Sequence, residues 1–249
     1  MSYSAENFDA WYANQAATPA VADIMNRHLG FPPPMRAGVV PAEAIPELSA
    51  ELRLSRGGTL ADLACGRGAY GLLVAQRTGA SLIGVDFSAQ ALAEAREQAA
   101  RLGTDDADFR LGDLTATGLP AASAQAALCT DAIQFPDEPG TAYGEIARIL
   151  KPGGRVALTC WESVGGDDER VPPRIRRVSL AQDLRQAGFT DIEVRERPSW
   201  FAREHAMWEE AVATDPGDDP ALRSLHDEGV RSLEWGPLFR RVLAVATRP

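Results

Sequence analysis

Residues 59–71 read TLADLACGRGAYG, and the fold turns on how they are parsed. Thr59 to Ala64 form a short apolar strand, CGRGAYG is a glycine turn, and 69–78 (AYGLLVAQRT) carry apolar residues at helical spacing before Gly79. Strand, turn and helix therefore follow one another without a linker. Outward from this unit the pattern repeats. Residues 81–85 (SLIGV) are a second buried strand ending at Asp86, and Ser88 is a good N-cap for the Ala-rich helix 89–102. Further strands are expected near 107–111, 125–130 and 155–161, with a helix at 140–150 stopped by Lys151-Pro152-Gly153-Gly154. Strands alternating with helices of this length imply parallel pairing through right-handed crossovers, with helices on both faces.

Beyond strand five the character changes. Residues 163–177 are polar and rich in Gly and Pro, which predicts an exposed loop. A helix at 179–187 leads into a strand at 190–197, and the last strand, 239–247, is expected beside it at the sheet's end. The intervening 198–238 carry aromatic-bearing helical stretches and are expected to form a lid or pocket wall. The 249 residues, 45% hydrophobic and 24% charged, suit one domain with a substantial core. Within it we expect an N-terminal helical lid (1–45), a cofactor-binding core (46–197), an inserted helical cap (198–238) and the last strand (239–249).

Charge narrows the function. With 35 acidic against 25 basic residues the net charge is -10, which argues against nucleic acid as a partner. Apolar runs fall well short of the roughly 20 residues of a membrane span. The start, MSYSAENFDAWYANQ, lacks the basic and apolar regions of a secretion signal, so a cytoplasmic location is expected. Cys65, Cys129 and Cys160 form no CxxC pair and read as reduced, small apolar residues; no metal is expected.

A Gly66-x-Gly68-x-x-Gly71 string is weak evidence by itself. Here it follows a strand, opens a helix and is succeeded by Asp86 where the second strand stops, which suits a nucleoside whose two ribose hydroxyls donate to the carboxylate. Two cofactor types compete. A dinucleotide sets its pyrophosphate on the helix N-terminus, where Asp62 directly before the turn is electrostatically unwelcome. S-adenosylmethionine, with an ammonium and a sulfonium, welcomes that carboxylate.

At this point the chain resembles the class I S-adenosylmethionine-dependent methyltransferases, closely over residues 45–161 and more loosely beyond. The matching motifs, in order, are DLACGRG, VDFS with Asp86, Gly112-Asp113-Leu114, Thr130-Asp131-Ala132-Ile133-Gln134 and LKPGG. The resemblance implies a Rossmann-like, doubly wound α/β fold, with a mostly parallel seven-stranded sheet and an antiparallel last strand. It also implies that Asp62, Ala64, Gly66 and Gly68 lie along the methionine part, Asp86 and Phe87 at the ribose, and Gly112, Asp113 and Leu114 at the adenine. Asp131 falls beside the methionine moiety or the acceptor. Two departures stand out, Ala64 for the first glycine and Tyr70 at the last, and Tyr70 is expected to narrow the cofactor site.

Methyl transfer is an in-line displacement in which the sulfonium loses its charge, so positioning matters most and a base is optional. Among the histidines, His28 lies near a helix C-terminus and His226 in a polar stretch. His205 sits among Trp200, Phe201, Met207 and Trp208 and is the candidate base, with Asp131 the other catalytic candidate. Tyr12, Gln134, Trp161, Trp200 and Trp208 are expected at the acceptor, and Tyr3, Trp11 and Tyr12 along the lid. An enclosed aromatic pocket favours a small organic acceptor of the secondary-metabolite kind, methylated on oxygen or nitrogen. Two alternatives stay open: an NAD-dependent oxidoreductase, and a methyltransferase-fold protein without methyl transfer, such as a cyclase or binding module. A homo-oligomer is also left open.

Overall fold

Alternation along the first strand sets the architecture. In β1 (Thr59–Leu63), Leu60 belongs to the hydrophobic cluster on one face of the sheet, while Ala61 and Leu63 belong to the cluster on the other. The structure, a computed structural model, describes residues 4–16, 18–165 and 168–249. Tyr3 lies outside the described residues. The remaining strands are β2 (Ser81–Asp86), β3 (Ala107–Leu111), β4 (Ala124–Thr130), β5 (Leu150–Ser163), β6 (Thr190–Glu196) and β7 (Phe239–Thr247). They form one seven-stranded sheet in the order β3-β2-β1-β4-β5-β7-β6. The first five pair in parallel, whereas β7 runs antiparallel to both β5 and β6. This is the expected mostly parallel sheet with an antiparallel last strand.

Helices cover both faces. On one side α2 (Pro19–Leu29), α3 (Ala44–Glu51), α4 (Ala69–Thr78), α5 (Ala89–Leu102), α9 (Pro198–Ala213) and α10 (Pro220–Trp235) share a core with Leu60, Leu82, Leu128 and Leu243. On the other, α6 (Pro139–Ile149) and α8 (Leu180–Gln186) cover Leu63, Val85, Leu158 and Val242. The three cysteines are buried and free. No helix among the described residues is long and apolar enough to cross a membrane.

Several boundaries differ from expectation. The LKPGG stretch does not stand outside the sheet: β5 begins at Leu150, and a register shift opposite Ala124 and Ala126 accommodates it. Gly153 adopts φ 76° there and donates its N–H to the carbonyl of Arg248 at 2.8 Å. The stretch 163–177 is not wholly exposed, because Val171 and Ile175 are buried and Pro173–Arg176 form a helical turn, α7; residues 166 and 167 of it lie outside the described residues. Of the N-terminal region, only α1 (Ala5–Ala16) lies apart from the core, since Val21, Ile24, Leu29, Phe31 and Val40 pack within it.

The region 198–238 is likewise built into the core, through Trp200, Met207, Trp208 and Ala211 of α9. Met207 is fully buried. Met207→Ala is expected to lower global stability by about 2–5 kcal/mol, as for other large-to-small core changes. Urea unfolding checks this; a loss well under that range, with an unchanged denaturant slope, means α9 rides on the surface instead.

Candidate active site

The turn after β1 needs backbone conformations that most residues resist. Ala64, Gly66 and Gly68 all have positive φ, at 50°, 52° and 74°. Glycine adopts these freely and alanine at some cost, which is the physical meaning of small residues at alternate positions here. Gly68 additionally has no room for a Cβ, which would stand 2.9 Å from the Phe109 ring. The turn is pinned from β2: one carboxylate oxygen of Asp86 accepts the Gly66 N–H at 2.7 Å and the other accepts the Ser88 N–H at 2.9 Å. Burial raises the pKa of Asp86, and the amide donors work against that rise. A carboxylate has about four acceptor sites, so the amides of Gly66, Phe87 and Ser88 leave room for a hydroxyl donor.

Asp62 lies beneath the turn and is fully buried. Its Oδ2 accepts the Gly71 N–H at 3.1 Å, while its Oδ1 is buried without a partner. A Cβ on Gly71 would fall 2.5 Å from that Oδ2, so Gly71 is required by packing against Asp62. Burial pushes the Asp62 carboxyl up to about 7.

Helix α1 lies across this turn. The Tyr12 hydroxyl stands 2.8 Å from where a Cβ of Gly66 would be, and the Arg67 guanidinium covers the Tyr12 ring at 4.7 Å and the Trp11 ring at 5.7 Å. Arg67 is anchored by Glu94 at 2.7 Å. Phe8 packs on Phe87 at 5.2 Å and on Phe135 at 6.0 Å, and Asp9 accepts the Gln90 N–H at 3.2 Å and the Ser88 hydroxyl. Helix α1 is thus fastened to the glycine turn and to the start of α5. Tyr70 points away from it, donating to the Val40 carbonyl at 2.9 Å and packing on Phe31, so it does not narrow the turn.

A second cluster sits at the tips of β4 and β5. Asp131 has φ 55°, and its Oδ1 accepts the Thr159 hydroxyl at 2.8 Å. Its Oδ2 pairs with Arg241, whose side chain has no exposed surface. Arg241 also reaches Glu204 at 2.8 Å and lies over the Trp161 ring at 4.5 Å. Glu204 in turn accepts the indole N–H of Trp161 at 3.2 Å and of Trp208 at 3.3 Å. Burial raises its carboxyl to about 7, with Arg241 opposing the rise.

The structure therefore brings together Asp62, Ala64, Gly66, Gly68, Asp86, Phe87 and Tyr12 around one turn, with Asp131 and Trp161 at the neighbouring strand tips. Other expected residues go elsewhere. His205 projects from the flank of α9 toward Phe201 and Gly236, with Glu209 at 3.5 Å, and its side chain is 38% exposed. Gln134 is buried, donating to the Asp131 carbonyl at 2.7 Å and accepting from the Cys160 thiol at 3.2 Å, so its amide is structural. Trp200 is core, beneath the Arg197 guanidinium. Asp113 is exposed and accepts the Thr115 N–H at 2.7 Å, capping its own turn, while Leu114 is buried and Gly112 packs on Val85. His28 pairs with Glu210, and His226 lies beside Asp227. Sequence reasoning passed over Arg67, Glu204 and Arg241. The spacing Trp200, Glu204, Trp208 put Glu204, not His205, on the helix face shared by the two tryptophans.

Known methyltransferases resemble the chain in part of its sequence and in fold. Residues 60–154 match the family described as Methyltransferase domain. The arsenite methyltransferase of Halobacterium salinarum is 27% identical over 154 residues, covering 57% of this chain and 39% of that protein. The nocamycin O-methyltransferase of Saccharothrix syringae is 35% identical over 106 residues, covering 41% and 38%. The chain thus matches less than half the length of either relative. Phosphoethanolamine N-methyltransferase 2 of Haemonchus contortus, solved with S-adenosyl-L-methionine, superposes with a TM-score of 0.75 at 20% identity, over 93% of this chain and 57% of that one. With the glycine turn, the acidic strand tip and the strand order all in place, residues 60–154 form a methyltransferase domain on the fold of the class I S-adenosylmethionine-dependent methyltransferases.

Proposed function

We propose that the protein binds S-adenosylmethionine across the tips of β1, β2 and β4 and transfers its methyl group to a small organic acceptor of the secondary-metabolite kind. The observation that carries this reading is the unpartnered, buried Oδ1 of Asp62 beneath a left-handed turn whose Gly66 is pinned by Asp86. The residues fit the cofactor. Asp86 keeps acceptor capacity for a ribose hydroxyl, Asp62 offers its unpartnered Oδ1 on the methionine side, and Gly66, lacking a Cβ, lets the Tyr12 hydroxyl close on the turn. Three carboxylates, Asp62, Asp86 and Asp131, surround the turn, with Arg241 held against one of them. That balance suits an ammonium and a sulfonium and opposes a pyrophosphate, which sets the NAD alternative aside.

S-adenosylmethionine, when bound, supplies an electrophilic methyl on a positively charged sulfur. The chain's own contribution is orientation, which is worth up to roughly 7–11 kcal/mol when attacking and leaving atoms are held in line. Helix α1, through Phe8 and Tyr12, closes the cleft and excludes water. Burial and the charge of Asp86 raise the Tyr12 hydroxyl pKa, so it stays protonated and available as a donor. Asp131, fixed by Thr159 and Arg241, orients the acceptor or the methionine end; His205, on the outer flank of α9, has no part in the transfer.

Isothermal titration with S-adenosylhomocysteine checks the site. Asp86→Ala is expected to weaken binding at least about tenfold, the loss of roughly 1.4 kcal/mol of charge-assisted contact. Unchanged affinity places the ribose elsewhere, and binding of NAD in its stead overturns the reading. Transfer of labelled methyl to any of a panel of phenols, acids and amines separates an enzyme from a fold relative that transfers nothing.

Asp62 makes stability depend on pH. Unfolded, its carboxyl titrates near 3.8, and folded, near 7. The folded chain holds the proton more tightly, so the stability Asp62 contributes is full below the unfolded value and is lost as pH rises to about 7. Each unit of difference is worth about 1.4 kcal/mol. Asp62→Asn is expected to flatten the fall in urea midpoint between about pH 4 and about pH 7. An equally steep fall in the variant means the carboxyl is ionised throughout.

A further inference from the structure

Asp131, Arg241 and Glu204 form a chain of charge running from the cleft into the core, and only its first member meets the cleft. The guanidinium of Arg241 bridges the two carboxylates, one amino group to each, and its Nε is buried without a partner. Both oxygens of Glu204 are taken, Oε2 by Arg241 and Trp161 and Oε1 by Trp208. Trp161 offers its ring to Arg241 itself, so the aromatic face that would hold a cationic acceptor is already filled. A buried ion cluster of this kind is expensive in desolvation compared with apolar packing. It sits between the last strand, a helix of the 198–238 region and the tip of β4, where Asp131 is held in a left-handed conformation.

We propose that Glu204 and Arg241 are positioning residues that act on the cleft through Asp131, so that the hold on a positively charged sulfur nucleoside depends on the proton carried by Glu204. This rests on the reading above that the cleft takes S-adenosylmethionine. When Glu204 is protonated, Asp131 has the guanidinium to itself and the cluster is neutral. When Glu204 is ionised, the guanidinium is shared between two carboxylates, and the cluster presents a net negative charge to the sulfonium. The balance falls near neutrality, where burial holds the Glu204 carboxyl at about 7. The other charges on the elements packed around it have partners of their own. Arg27 and His28 of α2 pair with Glu210, and Glu43 and Glu47 of the α3 region pair with Arg203 and Arg197. Arg240 of β7 pairs with Glu162 and Glu196, and Glu228 of α10 faces Arg231 and Arg174. Tyr70 of α4 and Cys160 of β5 also face the cluster, and burial keeps both protonated.

The indole N–H groups of Trp161 and Trp208 both end on Glu204, so their ¹H–¹⁵N signals in the whole chain report its proton without any ligand. Both signals are expected to move together with a midpoint near pH 7, and to stop moving in Glu204→Gln, while Trp11 and Trp235 serve as references. Asp131→Asn, with Asp131→Ser as a second form, is expected to lower the midpoint by about half a unit or more, because a negative neighbour is removed. Adding S-adenosylmethionine to the native chain is expected to lower it as well, and S-adenosylhomocysteine, which lacks the sulfonium charge, to lower it less. In parallel, affinity for S-adenosylmethionine should rise several-fold between about pH 6 and about pH 8 in the native chain and clearly less in Glu204→Gln, where Asp62 still titrates in that range. A midpoint that ignores both Asp131 variants overturns the coupling, as does an affinity rise as large in Glu204→Gln as in the native chain. If neither nucleoside perturbs any signal, it is the assignment of the cofactor that fails; the Asp131 variants still decide the link to Glu204.

Discussion

The hydrogen bond from the Gly66 amide to the Asp86 carboxylate is the constraint on which the site depends. It ties the end of one parallel strand to the turn leaving its neighbour, at 2.7 Å, and it does so with a buried carboxylate whose second oxygen starts α5 through the Ser88 amide. Ser88 then caps α5 by accepting the Ala91 N–H at 3.0 Å. One side chain thereby fixes the turn, the strand tip and the following helix relative to one another. The positive φ values at Ala64, Gly66 and Gly68 follow, because a chain leaving β1 must reverse sharply to offer its amide to Asp86 before entering α4.

Charge burial is the second organising feature. Asp62, Asp86 and Glu204 are buried on the sheet or on α9, and Asp131 is part-buried just past the tip of β4, against the buried guanidinium of Arg241. Burying uncompensated carboxylates works against folding, since the ionised form is poorly solvated there. Raised pKa values at Asp62 and Glu204 are the signature of that penalty. A chain selected for stability alone would have apolar residues at such positions; a cleft for a cationic nucleoside gives the carboxylates a partner that only the bound state supplies.

The sheet was legible in the sequence because its signals are local. An apolar run, a glycine turn and a capped helix recur along residues 59–102, and each depends on neighbours a few residues away. The same locality made Asp62, Gly66, Gly68 and Asp86 readable. What escaped was decided by packing between distant segments. Arg241 looks like an ordinary basic residue beside Arg240, yet strand alternation sends it inward with Leu243 and Val245 while Arg240 faces outward to Glu162 and Glu196. His205 drew notice for its chemistry, and the helix turned it to the flank by one residue. Gln134 lay in a motif that marks the cleft, but the bend after β4 folds its amide back onto the Asp131 carbonyl.

Helix α9 joins these threads. Its buried positions, Trp200, Glu204, Met207, Trp208 and Ala211, fall on one face at the spacing of a helix laid flat on a sheet. Four of them are apolar and secure the helix to the core. The fifth is a carboxylate at the centre of that face, where a leucine would pack without penalty. Its two indole donors and its guanidinium come from α9, β5 and β7, so the charge is accommodated by three separate elements. A wall helix serving only to enclose an acceptor has no use for such an arrangement. One that also sets the charge beside Asp131 does, and the ion pairs of Arg241 with Asp131 and Glu204 are the link through which α9 reaches the tip of β4.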